Sequence, residues 1–164
     1  MGLFITFYAA DPEVFVTLHK RIASAQTIEE ASLIREQLAS YPHADFSLNF
    51  TIPDHTDALC QAMIAEGLAV PPSSLDLFGT PLWYDEAASV HQLPPTFPLA
   101  LAQASEASIK RIAERWVNSF LSAKREATDA AIVSQNALNA LSDLRAVSSF
   151  ALEHQQLLLL CFVW

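Results

Sequence analysis

Glycine is nearly absent: Gly2, Gly67 and Gly79 are the only three in 164 residues. No two are close enough for a phosphate-cradling loop or a dinucleotide fingerprint, both of which need glycine where backbone meets phosphate. The nucleophile-elbow pattern is missing as well. Cysteine is scarce too. Cys60 and Cys161 are far apart, each in apolar surroundings, which is how reduced buried thiols are used in cytoplasmic proteins, not zinc sites or disulfide frameworks. No apolar run reaches the ~20 residues of a membrane-spanning helix. The N-terminus has neither the basic start nor the small-residue cleavage site of a signal peptide. Met1-Gly2 formally fits a myristoylation signal, but no basic cluster follows to supply a second membrane contact. The expectation is a cytoplasmic chain without membrane association.

Basic residues are missing from a whole stretch. Between Glu36 and Ile109 there is no Lys or Arg, while nine acids fall there, and the net charge of the chain is −9. A nucleic-acid-binding surface needs a basic footprint, so that class is excluded. An acidic surface of this kind can instead steer a basic protein partner. Five of the nine basic residues cluster between Lys110 and Arg125.

What is abundant is apolar: 52% of residues are hydrophobic and only 16% are charged. That composition and length suit one globular domain over residues 1–164 with a sizeable core. The apolar excess also leaves room for a homo-oligomer interface. The most apolar window is Leu157-Leu-Leu-Leu-Cys161-Phe-Val-Trp164, which reads as a strand buried on both faces. Its natural partner is the other terminal run, Leu3–Tyr8. Asp11-Pro12-Glu13 opens a helix with an acidic cap and proline in the first turn, burying Val14, Phe15, Leu18 and Ile22. His19 lies at the edge of that face and reads as a packed side chain. Thr27-Ile-Glu-Glu30 is a capping box for a second helix to about Ser40, with Ala31, Ile34 and Leu38 inward.

Asp45–Ile52 alternates strictly, with Phe46, Leu48, Phe50 and Ile52 on one face, and predicts a half-buried strand. Asp54 then caps a helix through Glu66, closed by Gly67. Residues 68–104 lose regular pattern and hold six of the nine prolines. A short strand at Pro81–Tyr84 and a helical turn at Asp85–His91 are expected within them. From Ser105 a helix buries Ile109, Ile112, Ala113, Trp116, Val117, Phe120 and Leu121. A long helix from about Thr128 to Glu153 buries Val133, Ala137, Leu141, Leu144, Val147 and Ala151.

The start Met1-Gly2 into an apolar strand, the run Leu141-Ser-Asp-Leu-Arg145 through Leu159, and Phe78-Gly79-Thr-Pro81-Leu-Trp-Tyr84-Asp-Glu-Ala together resemble the uncharacterised bacterial YfbM-like family. They cover under a third of the chain. The resemblance implies an α+β fold and carries no activity. The fold expected from all of this is a single α+β domain. It has a small mixed sheet of three or four strands, terminal strands adjacent, and about five helices packed on it.

Chemistry is harder to find. His43 and His55 flank the alternating strand, ~23 Å apart at ~3.3 Å per residue, too far to share a metal. Cys60 lacks a base: His55, five residues before it, points elsewhere on a helix, and nearby Asp57 opposes thiolate formation. No catalytic residue, metal or cofactor is assigned. The candidate binding residues are Asp76, Trp83, Tyr84, Asp85, Glu86 and His91, aromatics and acids inside the irregular stretch. Two functions follow. One is an acidic interaction or regulatory protein, of inhibitor or immunity type, that docks a basic partner on these residues. The other is a small-molecule binder or enzyme with a pocket under residues 68–104, using His91, Asp85 or Glu86 as acid–base groups.

Overall fold

The computed structural model describes residues 4–46, 54–120 and 127–164. Twelve elements follow in order: β1 (Phe4–Ala10), α1 (Pro12–Ser24), α2 (Ile28–Ala39), β2 (His43–Asp45), α3 (Asp54–Ala65), α4 (Ser74–Phe78), β3 (Pro81–Tyr84), β4 (Ala88–Gln92), α5 (Thr96–Gln103), α6 (Glu106–Phe120), α7 (Ala127–Glu153) and β5 (Leu157–Val163). The strands form one sheet in the order β2-β1-β5-β4-β3. The fold is α+β in a single domain, with the two terminal strands side by side as expected. Among the described residues its sheet has five strands where three or four were expected, and every pairing is antiparallel where a mixed sheet was expected.

β1 and β5 pair along their whole length, from Phe4 opposite Val163 to Ala10 opposite Leu157. Side chains alternate between faces of a strand, so this register sorts the sheet into two layers. Ile5, Phe7, Leu158, Leu160 and Phe162 point to a large core that includes residues of α3, α5, α6 and α7. Phe7 meets Phe46 at 4.9 Å and Phe97 at 6.5 Å between ring centres, and Phe46 meets Trp116 at 5.8 Å. Ala10, Leu159, Cys161 and Val90 point to a smaller core on the opposite face, covered by Phe15, Leu18, Ile34 and Leu38 of α1 and α2. β5 is thus buried on both faces, as its unbroken apolar run requires.

The helix starts follow their caps. Asp11 Oδ1 accepts from the backbone N–H of Glu13 and Val14 at 3.0 Å, with Pro12 at the first helical position. Thr27 Oγ1 accepts from Glu30 N–H at 3.1 Å, and Glu30 reaches back to the N–H of Gln26 at 3.3 Å. The buried stripe of α6 includes Ile109, Ile112, Ala113, Trp116 and Val117. On its outer face Arg111 and Arg115 grip Glu66 at 2.7 and 3.1 Å. Gln155 takes a left-handed φ of 54°, and this turns the end of α7 into β5.

Two expectations change. Val14 is 50% exposed rather than buried, because α1 rests on the sheet through Phe15, Leu18 and His19. The turn expected to be helical at Asp85–His91 is the start of a strand instead: β4 pairs with both β5 and β3. Residues 68–104 hold α4, β3, β4 and α5, and β3 is the short strand expected at Pro81–Tyr84. Of the alternating stretch Asp45–Ile52, residues 47–52 lie outside the described residues, while Phe46 is buried as its pattern predicted.

The central position of β5 sets a stability expectation. Leu160 has no exposed surface, and truncation of a fully buried leucine costs about 2–5 kcal/mol. Urea denaturation of Leu160→Ala is expected to show a loss in that range. Leu33→Ala, at a side chain 62% exposed, is expected to change stability by less than about 0.5 kcal/mol.

Candidate functional site

The two sheet faces are unequally covered, and the thinner side holds the site. Beneath the α1–α2 hairpin lies a cavity of about 340 Å³. Its floor draws on all five strands: His43 from β2, Thr6 and Tyr8 from β1, Cys161 and Val163 from β5, Ala88 from β4 and Trp83 from β3. Its roof is one stripe of each helix, His19, Ile22 and Ala23 from α1 and Arg35, Leu38 and Ala39 from α2. Both stripes have i, i+3, i+4 spacing, which puts three side chains on one helix face. Small residues make the space: Ala23 and Ala39 above, Ala87 and Ala88 below. Two other depressions, of about 470 and 360 Å³, are lined mostly by exposed side chains of α1 and α2.

His19 is 7% exposed and packs between Phe15 at 4.9 Å and Trp83 at 5.5 Å. Its Nε2 lies 3.6 Å from Cys161 Sγ. Burial lowers the His19 pKa to about 4, against a smaller upward pull from Asp85. Burial also pushes the Cys161 thiol up to about 12. The pair is therefore a neutral thiol beside a neutral imidazole, the reverse of the thiolate–imidazolium pair of an activated cysteine. Tyr8 is raised to about 12 by burial and by Cys161, so its phenol keeps its proton. His43 stacks near Tyr8 at 5.6 Å, and its Nδ1 sits 2.9 Å from the carbonyl oxygen of Tyr41. In the neutral ring Nδ1–H donates to that carbonyl, which leaves Nε2 as an acceptor.

The six candidate residues do not form one cluster. Trp83 and Asp85 line the cavity. Asp85 Oδ1 also accepts from Ala87 and Ala88 N–H at 2.8 Å, closing the β3–β4 turn. Glu86 and Tyr84 are exposed beside it, and the Tyr84 ring lies 6.1 Å from that of Trp164. Asp76 is spent on the start of α4, accepting from Ser73 Oγ–H at 2.6 Å. His91 faces the other side of the sheet, against Phe78 and Phe162, with its ring nitrogens 3.2 Å from the Phe78 carbonyl and 3.1 Å from Ser89 Oγ. Burial lowers its pKa, against the Phe78 hydrogen bond. His91 and Asp85 thus lie on opposite faces and do not act together.

Among the described residues, one space lined by Leu77 and Phe78 measures about 20 Å³, room for about one water. The irregular stretch contributes to the large cavity only through Trp83, Asp85, Ala87 and Ala88. The sequence reading missed Tyr8, Arg35 and Cys161 as site residues and left His19 and His43 without a role. The one local signal was the alternation of Thr6 and Tyr8 with Ile5 and Phe7 along β1, which places polar groups on a covered face.

Among the described residues no three His, Cys, Asp or Glu side chains are grouped to hold a metal ion. No described helix is long and apolar enough to cross a membrane. No family model, curated protein or solved structure matches the chain, so the reading of the site rests on its geometry.

The buried imidazole makes stability depend on pH. An unfolded histidine titrates near 6.5, whereas folded His19 takes a proton only near pH 4. Its contribution is fully present above about pH 6.5 and is lost as pH falls toward 4, by roughly 2–3 kcal/mol. Urea denaturation at pH 7 and pH 4.5 is expected to show that extra loss in wild type and not in His19→Phe. The residual slope of the variant includes His91.

Both thiols are buried, and Cys60 is also raised to about 12, by burial and then by Asp57. In a time course with an aromatic disulfide reagent, neither thiol of the native protein is expected to react faster than the protein unfolds. Denaturant is expected to release both at once.

Proposed function

We propose that the chain is a small-molecule-binding protein whose ligand lies beneath the α1–α2 hairpin. The observation that supports this is the cavity of about 340 Å³ on which Tyr8, His19, Arg35, His43, Asp85 and Cys161 converge between apolar walls. Its size and its few polar groups on an apolar lining match the usual character of a ligand site. The neutral state of Cys161 and His19 favours binding over turnover. The reading keeps the small-molecule function expected from the sequence and moves its place.

A fragment screen read by thermal shift tests this. Ala23 and Ala39 are exposed at the roof, so Ala23→Trp and Ala39→Trp fill the cavity without disturbing the core. Fragments that raise the Tm of wild type are expected to leave both variants unchanged. Hits that stabilise the variants equally, or no hits at all, would overturn the reading.

A second reading keeps the basic protein partner. Tyr84 is 66% exposed and Trp164 is 37% exposed, and Trp164 Nε1–H donates to the carbonyl of Glu86 at 2.6 Å. That gives an aromatic patch beside an acid at the sheet edge, the composition of a docking surface. A basic protein recovered from lysate at low salt, and lost at high salt and in a Tyr84→Ala, Glu86→Gln variant, is the outcome this reading requires.

A further inference from the structure

The charged groups of the cavity are separated, and the strand order says how. Along the floor the sequence is His43, then Tyr8 and Thr6, then Cys161, then Ala88, then Trp83. α1 covers the β3 side, where His19 packs on Trp83. α2 leads directly into β2, and the Pro42 carbonyl before it accepts from Ala9 N–H at 3.0 Å. Arg35 therefore stands with His43 at the β2 end, while Asp85 stands with Trp83 at the β3 end. Among the described residues Arg35 has no ion-pair partner. Asp85 spends Oδ1 on its turn, and Oδ2 accepts no hydrogen bond among the described residues. Asp45 is also on β2 and acts on Tyr8, but it does not line the cavity.

Between these poles the lining is neutral. Ile22, Leu38 and Trp83 supply apolar surface, and the hydroxyls of Thr6 and Tyr8 interrupt it. Four interstrand spacings separate β2 from β3, about 19 Å in all. An extended chain advances ~3.3–3.6 Å per residue. Three residues span roughly 10 Å, and the Arg35 and Asp85 side chains reach inward over the remainder.

We propose that the cavity takes an extended zwitterion, a short unblocked peptide of about three residues, with its carboxylate on Arg35 and its ammonium on Asp85. The central side chain lies against Ile22, Leu38 and Trp83, and the peptide amides meet the Thr6 and Tyr8 hydroxyls. This rests on the small-molecule reading above and specifies its ligand.

Isothermal titration with the tripeptide Gly-Leu-Gly at low salt tests it, beside the N-acetylated and the C-amidated forms. The free peptide is expected to bind one to one. Each blocked form is expected to bind about ten-fold more weakly, the loss of one charge-assisted hydrogen bond. Asp85→Asn, whose amide oxygen can still close the turn, is expected to weaken the free peptide and leave the acetylated one unchanged. Arg35→Gln is expected to weaken the free peptide and leave the amidated one unchanged. Equal binding of free and blocked peptides overturns the proposal. So does failure of the tripeptide to bind while a fragment still stabilises wild type and not Ala23→Trp, a result that leaves the cavity as a ligand site for another class. Absence of both kinds of binding overturns the two readings together.

Discussion

The rest of the structure depends on the seven-pair antiparallel ladder between β1 and β5. Each strand carries one further neighbour, β2 on β1 and β4 on β5, so the ladder is the joint between the two halves of the sheet. Its register also decides layer membership, because a slip of one residue would exchange faces. With β5 held in place, a slip of β1 would carry Phe7 to the α1–α2 side and Tyr8 into the aromatic core around Trp116. Burial on both sides is what makes this register unambiguous.

The unequal cover of the two faces links fold to function. One face buries large side chains, among them Trp116, Phe97, Met63, Leu141 and Leu144, and offers little space. The other rests under a two-helix hairpin with alanine where a larger residue would close the gap. Polar groups occupy this side at low cost to stability because they remain neutral or keep partial access to water. The Tyr8 phenol, the Cys161 thiol and the His19 imidazole all hold the uncharged form. The charges that do line the cavity, Arg35 and Asp85, are only partly buried or exposed.

Much of the fold was legible in the sequence where one local signal sufficed. Asp11-Pro12 and Thr27…Glu30 announced their helices through side chains that satisfy the first N–H groups. The α6 stripe announced its buried face, and the unbroken run at 157–163 announced a strand covered on both sides. Within the stretch from 68 to 104 the strand at Pro81–Tyr84 was read correctly, but the rest was opaque for three physical reasons. α4 is a single short turn of helix. β4, Ala-Ser-Val-His-Gln, has little intrinsic strand preference and is held by pairing on both edges. α5 follows Pro95, which offers no side-chain cap, and its residues Thr-Phe-Pro-Leu-Ala-Leu-Ala-Gln are too uniformly apolar to show a face. The site was less legible than the fold. Trp83 and Asp85 stood out locally, but Tyr8, His19, Arg35, His43 and Cys161 become neighbours only through strand order and the docking of the hairpin. Pairings such as Thr6 with Cys161 leave no trace in either segment alone.

The place of β5 in the sheet also bears on how the chain folds. It is the last strand in sequence and the middle one in space, with β1 and β4 hydrogen-bonded to its two sides. The hairpin β3–β4 and the unit from β1 to β2 can each form from nearby residues, but neither can join the other until β5 arrives. Closing that contact spans nearly the full sequence, which is entropically slow. Until then β1 and β4 each present one unpaired edge, the kind of surface that recruits another chain. Synthesis from the N-terminus therefore leaves the centre of this sheet unpaired until β5 is made.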